Sequence, residues 1–290
     1  MKKIIGTGLS GLIGSKLVAD FAHQYDFEKI DISDPINPVD ITNLDQVTKI
    51  LANSEANFVV HFAAYTDVTG AWKQNNDKNG LAYQVNVVGT QNLVTACEQT
   101  NKHLIHISTA YIFNGEKKDM YVETDQPSPI EWYGQTKAWA EAAVTAATCP
   151  WTILRIDQPF RSDTNSRPDV VRRLVASIKD GSLYPQFTNH FMGPTFIDDF
   201  VKVIDWVIRT HTTGIYHASS GEKWSDYDFA TLINQTLNLG AEIKPGDLQT
   251  YLKTATRPYQ KNTSLDCTKL KNELDFSLLS VKQAVQLIKV

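Results

Sequence analysis

Near its N-terminus the chain reads Lys3-Ile4-Ile5-Gly6-Thr7-Gly8-Leu9-Ser10-Gly11-Leu12-Ile13-Gly14. Lys3-Ile4-Ile5 reads as a short apolar strand, and Leu17, Val18, Phe21 and Ala22 then recur at helical spacing. Between them, glycines permit a tight turn and a close approach of backbone to a ligand. A strand, this glycine turn and a helix in succession offer unpaired N–H groups and a positive dipole end to a pyrophosphate. The segment therefore predicts a βαβ dinucleotide-binding unit.

Downstream, strands expected at 27–32, 58–62, 104–107 and 151–155 alternate with helices at 44–51, 81–100 and 133–146, the first of these opened by Asp40-Ile41-Thr42. That rhythm predicts an α/β fold with a doubly wound parallel (Rossmann-type) sheet, and the near-continuous apolar strands suit a sheet covered on both faces. After Pro159 the rhythm changes, with a polar stretch at 163–168 and helices at 170–179 and 200–208. We expect a dinucleotide-binding domain over 1–159, with 193–217 returning to it. A smaller C-terminal substrate lobe then comprises 160–192 and 218–290.

The 290 residues are 42% apolar and 21% charged, ordinary for a globular protein with a sizeable core. Lys and Arg number 28 against 32 Asp and Glu, a net charge of -4, which argues against a nucleic-acid partner. No apolar run has the length of a membrane span. Cys97, Cys149 and Cys267 include no C-x-x-C pair and read as reduced thiols, so the cytoplasm is the expected compartment. No His, Cys and carboxylate set has metal-ligand spacing, and no metal is expected.

Asp31 ends the second strand, 17 residues after Gly14. A carboxylate there can accept from adenosine ribose hydroxyls and would repel a 2′-phosphate. No Arg lies in the glycine loop or just after Asp31, although Lys29 is near, so NAD is favoured over NADP.

Tyr133 and Lys137 lie four apart in a predicted helix and project from one face. A neighbouring ammonium would favour the phenolate and fit the phenol to pass a proton while a hydride moves. Tyr25 and Lys29 share the spacing, but fall between the first helix and second strand, away from any ligand crevice. Ser108-Thr109-Ala110 follows the fourth strand, at the carboxyl end where open α/β sheets bind ligands. A hydroxyl there can hold a carbonyl beside Tyr133, or can simply cap a turn.

Several segments together resemble the dTDP-4-dehydrorhamnose reductase family, within the extended short-chain dehydrogenase/reductase superfamily. They are His61-Phe62-Ala63-Ala64-Tyr65-Thr66, Asn86-Val87-Val88-Gly89-Thr90, Ile107-Ser108-Thr109-Ala110-Tyr111-Ile112-Phe113-Asn114-Gly115 and Tyr133-Gly134-Gln135-Thr136-Lys137. Gly193-Pro194-Thr195-Phe196, Gly214-Ile215-Tyr216-His217, Arg257-Pro258 and Leu265-Asp266 follow in order. The resemblance implies reduction, by NADH or NADPH, of the C4 ketone of a nucleotide-linked 4-dehydro sugar. Thr109, Tyr133 and Lys137 would be catalytic, with Thr109 preferred to Ser108 on this ground. Gly8, Gly11, Leu12, Ile13, Asp31, Asp40, Ile41, Ala63, Ala64, Tyr65, Tyr133 and Lys137 would bind the cofactor. Thr109, Ala110, Gln158 and Arg257 would meet the substrate. The resemblance also leaves a homodimer open.

Three positions depart from the family pattern. Ala110 stands where Asp is usual, Gln158 where Trp often contacts the sugar, and His61-Phe62 where Asn precedes the Ala pair. Exchanging an aromatic platform for an amide changes which sugar face and which hydroxyl the pocket can hold. Two alternatives stay open on the sequence: a sugar-nucleotide epimerase of the same superfamily, and a non-catalytic NAD(P)-binding regulatory subunit.

Overall fold

The computed structural model describes residues 1–289. Strands β1 (Lys2–Thr7), β2 (Tyr25–Ile30), β3 (Phe58–His61), β4 (His103–Thr109), β5 (Trp151–Ile156) and β6 (Gly214–His217) form one sheet, in the order β6-β5-β4-β3-β1-β2. All pairs are parallel, with Ile4 beside both Phe27 and Phe58, Val60 beside Ile105, and Leu154 beside Tyr216. The chain runs outward from β1 to β2, then crosses back to β3. That reversal opens a crevice at the strands' carboxyl ends.

Helices cover both faces because neighbouring strand residues point to opposite sides. Ile4, Val60, Ile105 and Leu154 bury one face with Leu17 of α1 (Gly14–Phe21) and with Phe200, Val203 and Ile204 of the helix Ile197–Thr210. Ile5, Val59, Leu104 and Ile153 bury the other with Val47 and Leu51 of α2 (Leu44–Asn53), Leu93 of α3 (Gly89–Thr100) and Val144 of α4 (Trp132–Thr145). A separate cluster joins Phe160, Val171, Val175, Phe229, Ile233, Val281 and Val285 across the helices Val170–Lys179, Asp226–Thr236 and Val281–Gln286.

Some boundaries differ from expectation. β2 runs over Tyr25–Ile30 rather than 27–32, because Asp31 turns the chain by accepting from Ser33. Tyr25 and Lys29 are therefore strand residues, and the Tyr25 hydroxyl donates to Asp205 at 2.5 Å. The N-cap of α2 is Asn43, while Asp40 ties down the N–H and hydroxyl of Thr42. The expected helix over 81–100 is broken by a π-helical turn, Gln84–Val88, which carries Asn86. Such turns commonly mark functional sites.

Candidate active site

The glycine loop joins β1 to α1 at the crevice. Gly8 has φ +66°, and a Cβ there would lie 2.8 Å from the Ala63 amide nitrogen, so the loop tolerates no side chain. This contact, and the Ala63 N–H donating to Thr7 Oγ1 at 3.1 Å, bring the Ala63-Ala64-Tyr65 segment onto the loop. Among the described residues no side chain caps α1; the Ser15 and Lys16 N–H groups bond to Gly11 O and Ile13 O, and those of Leu12, Ile13 and Gly14 are left to meet an anion. Asp31 accepts from the Ser10 N–H (3.2 Å) and the Ser33 N–H (3.1 Å). Burial alone would push its pKa up, but these bonds prevail and hold the carboxyl below its ordinary value. The tight loop, open helix end and fixed carboxylate fit a dinucleotide. Asp40 is engaged with Thr42, and Ile41 is buried, packing against the face of Gly89.

Beneath the loop lies a closed chain of buried hydrogen bonds. The Thr90 hydroxyl donates to Asn86 O (2.7 Å), so the contact between Thr90 and His61 Nε2 (3.0 Å) needs the histidine to donate. His61 Nδ1 is then the acceptor for the Thr7 hydroxyl at 2.7 Å. The network fixes a neutral, Nε2-protonated ring, and burial with the nearby Lys137 charge lowers its pKa to about 3. Asn86 accepts from the Tyr65 N–H and donates to Tyr65 O and Thr136 Oγ1, linking the crevice to α4.

Tyr133 opens α4 behind Glu131, whose carboxylate accepts from the N–H groups of Tyr133 (2.7 Å) and Gly134 (2.6 Å). Gly134 permits α4 to rest on Tyr111 O, which a Cβ would strike. Burial raises the Tyr133 pKa above its ordinary value, opposed by the neighbouring Thr109 hydroxyl. Thr109 and Tyr133 are thus brought together. Thr109 Oγ1 also accepts from the Tyr111 N–H at 3.2 Å, so it caps the following turn as well. The expected ammonium–phenol contact is not formed. Lys137 Nζ donates to Ile107 O (2.8 Å) and His106 Nε2 (3.1 Å), and burial lowers its pKa to about 8. Ser108 Oγ is buried without a partner among the described residues.

The expected substrate residues divide. Ala110 is fully buried with Ile112, Phe113 and Leu265, because the turn capped by Thr109 points its methyl into the core. Gln158 is half-buried with φ +39°, a strained backbone for a non-glycine residue. Arg257 stacks its guanidinium 3.6 Å from the Tyr259 ring centre, and its charge reaches Glu131 and Tyr111.

Several site residues were not foreseen. Asp157 precedes Gln158, accepts from Gly193 N–H (2.9 Å) and Thr263 Oγ1 (2.7 Å), and is raised to about 6 by burial. His190 pairs with Asp226 at 2.9 Å. His106 meets Lys137 from 31 residues away, a separation no local pattern reports. Glu131 was the readable one, lying at the expected start of its helix. Among the described residues no group of three or more His, Cys, Asp or Glu is placed to hold a metal ion. None of their helices is long and apolar enough to cross a membrane.

The chain matches the family model described as the RmlD substrate binding domain over residues 1–289. It is 30% identical over 283 residues to the dTDP-4-dehydrorhamnose reductase of Aggregatibacter actinomycetemcomitans, covering 93% of this chain and 92% of that one. It is 28% identical over 281 residues to a probable low-salt glycan biosynthesis reductase of Haloferax volcanii, with coverage of 93% and 92%. The crystal structure of Bacillus anthracis dTDP-4-dehydrorhamnose reductase in complex with NADP superposes with a TM-score of 0.88 at 26% identity, over 99% of this chain and 98% of that one.

Proposed function

The chain belongs to the RmlD substrate binding domain family, and from that membership we propose that it reduces the C4 ketone of a nucleotide-linked 4-dehydro sugar. It is an NAD(P)-dependent oxidoreductase of the short-chain dehydrogenase/reductase type. The observation that carries the reaction is the meeting of the Thr109 and Tyr133 side chains at the carboxyl end of β4.

The bound dinucleotide supplies the hydride. Tyr133 supplies the proton: a phenol is protonated at neutral pH at its ordinary pKa, and burial keeps it so. Thr109 orients the carbonyl oxygen beside that phenol. Lys137 uses two of its three N–H donors on His106 and Ile107 O and keeps the third for a ribose hydroxyl. Asp31 remains anionic and receives the adenosine ribose, which supports NADH over NADPH. The substrate lies against the lobe of 160–192 and 218–290, with Gln158 beside the sugar and Arg257 toward its diphosphate. All three cysteines are free and buried, and the cytoplasm is the compartment we propose.

Tyr133→Phe tests the mechanism. Turnover of a 4-dehydro sugar nucleotide with NADH should fall by roughly 10²-fold or more. The coenzyme dissociation constant, read by fluorescence, should change by less than about twofold, the phenyl ring being retained. Full activity in the Phe variant would remove Tyr133 from the proton-donor role.

A further inference from the structure

Residues 161–167, on the substrate side of the molecule, reach back to the glycine loop. Arg161 is buried, and its Nη1 donates to Leu12 O and Ser15 Oγ, each at 2.9 Å. Its Nε and Nη2 donate to the Asp163 carboxylate at 2.5 and 2.8 Å, which balances the Arg161 charge. Ser162 is held by Asp198, its N–H donating at 3.0 Å. Asn165 Nδ2 donates to Ser15 Oγ at 3.1 Å, and Asn165 Oδ1 accepts from the Arg167 N–H at 2.9 Å. The segment is thus moored to Leu12 and Ser15 at the start of α1, and to Asp198 of the helix Ile197–Thr210.

Arg167 comes at the end of that mooring. Its Nη1 lies 3.9 Å from where a Cβ on Gly11 would stand. The side chain is exposed, its backbone N–H is held, and its guanidinium has no partner among the described residues. Asp31 lies by the same loop, bonded to the Ser10 N–H. The loop therefore has a carboxylate suited to hydroxyls and, one residue along, an unpaired guanidinium suited to phosphate oxygens.

We propose that Arg167 is a phosphate-binding residue of the coenzyme site, carried to the glycine loop from the substrate side of the molecule. The proposal rests on reading that loop as the dinucleotide site. It supplies a guanidinium, which the glycine loop and the sequence just after Asp31 lack. The phosphate is either the pyrophosphate, present in both coenzymes, or the 2′-phosphate of NADPH alone.

Fluorescence titration of the full chain with NADH and with NADPH tests this without requiring turnover. Arg167→Ala should weaken binding by about tenfold, the loss of one hydrogen-bonded charge contact. Arg167→Lys should recover part of it, retaining the charge but not the fork. An equal loss for both coenzymes places the guanidinium on the pyrophosphate, and a loss confined to NADPH places it on the 2′-phosphate. Normal wild-type binding with unchanged constants for Arg167→Ala overturns this proposal alone. Wild-type protein that binds neither coenzyme overturns the coenzyme reading and this proposal with it. Arg167 is exposed, so an unaltered melting temperature verifies that the variants fold.

Discussion

Glu131 is a buried carboxylate at the N-terminus of α4, two residues before Tyr133. Burial outweighs its two backbone bonds and raises its pKa from 4.5 to about 7. The folded protein therefore holds a proton that the unfolded chain releases between those values. Stability linked to Glu131 is present below about pH 4.5 and is lost as the pH rises to about 7. The change is at most about 3 kcal/mol. Asp157, raised to about 6, titrates in the same range. The difference between wild type and Glu131→Gln isolates the glutamate. Wild-type melting temperature should fall across this window relative to the Gln variant; parallel profiles would contradict the assignment. At the same scale, Tyr133 was legible in the sequence and its surroundings were not. The four-residue spacing to Lys137 suggested an ammonium acting on the phenol, whereas the ammonium is bound by His106 and Ile107 O. Those partners lie on β4, and only tertiary pairing brings them under α4.

The π-helical turn and α4 are joined by one amide. Asn86 binds both backbone groups of Tyr65 and the Thr136 hydroxyl, which itself donates to Tyr133 O. Asn86→Ala leaves buried donors and acceptors unpaired, and should cost about 2–4 kcal/mol in urea denaturation. A loss below about 0.5 kcal/mol would show that the turn does not depend on this amide. Sequence periodicity identified a helix here but not its interruption, because a single inserted residue barely disturbs the apolar pattern. Strands were easier to find. β3 and β4 are buried along their whole length, and their Val, Ile and Leu runs announce this. The burial of Ala110 was harder to read, because it depends on the short turn Ala110–Ile112 and on packing with Phe113 and Leu265.

At the scale of the molecule, the sheet order places the glycine loop, the end of β3 and the end of β4 around one crevice. The alternation of strands and helices was sufficient to foresee this, since a parallel sheet must cross over at each step. The reach of Arg161 and Arg167 back to α1 was not foreseeable, as it depends on how the polar segment after Pro159 folds over the loop. A ligand bound at the crevice should stabilise the whole chain. Coenzyme at about one hundred times its dissociation constant should add about 2.7 kcal/mol, read as a rise in melting temperature. No shift at that concentration would mean that the crevice does not bind it.

In the proposed reaction a hydride passes from the coenzyme to the ketone carbon of a nucleotide sugar while Tyr133 protonates the oxygen. Incubation of a 4-dehydro sugar nucleotide with NADH or NADPH carrying deuterium at the transferable position, followed by mass and NMR analysis of the product, tests it most directly. One deuterium at C4 and one coenzyme oxidised per sugar reduced are expected, both lost in Tyr133→Phe. A product without deuterium, or a sugar converted with no net coenzyme oxidation as in an epimerase, would contradict it.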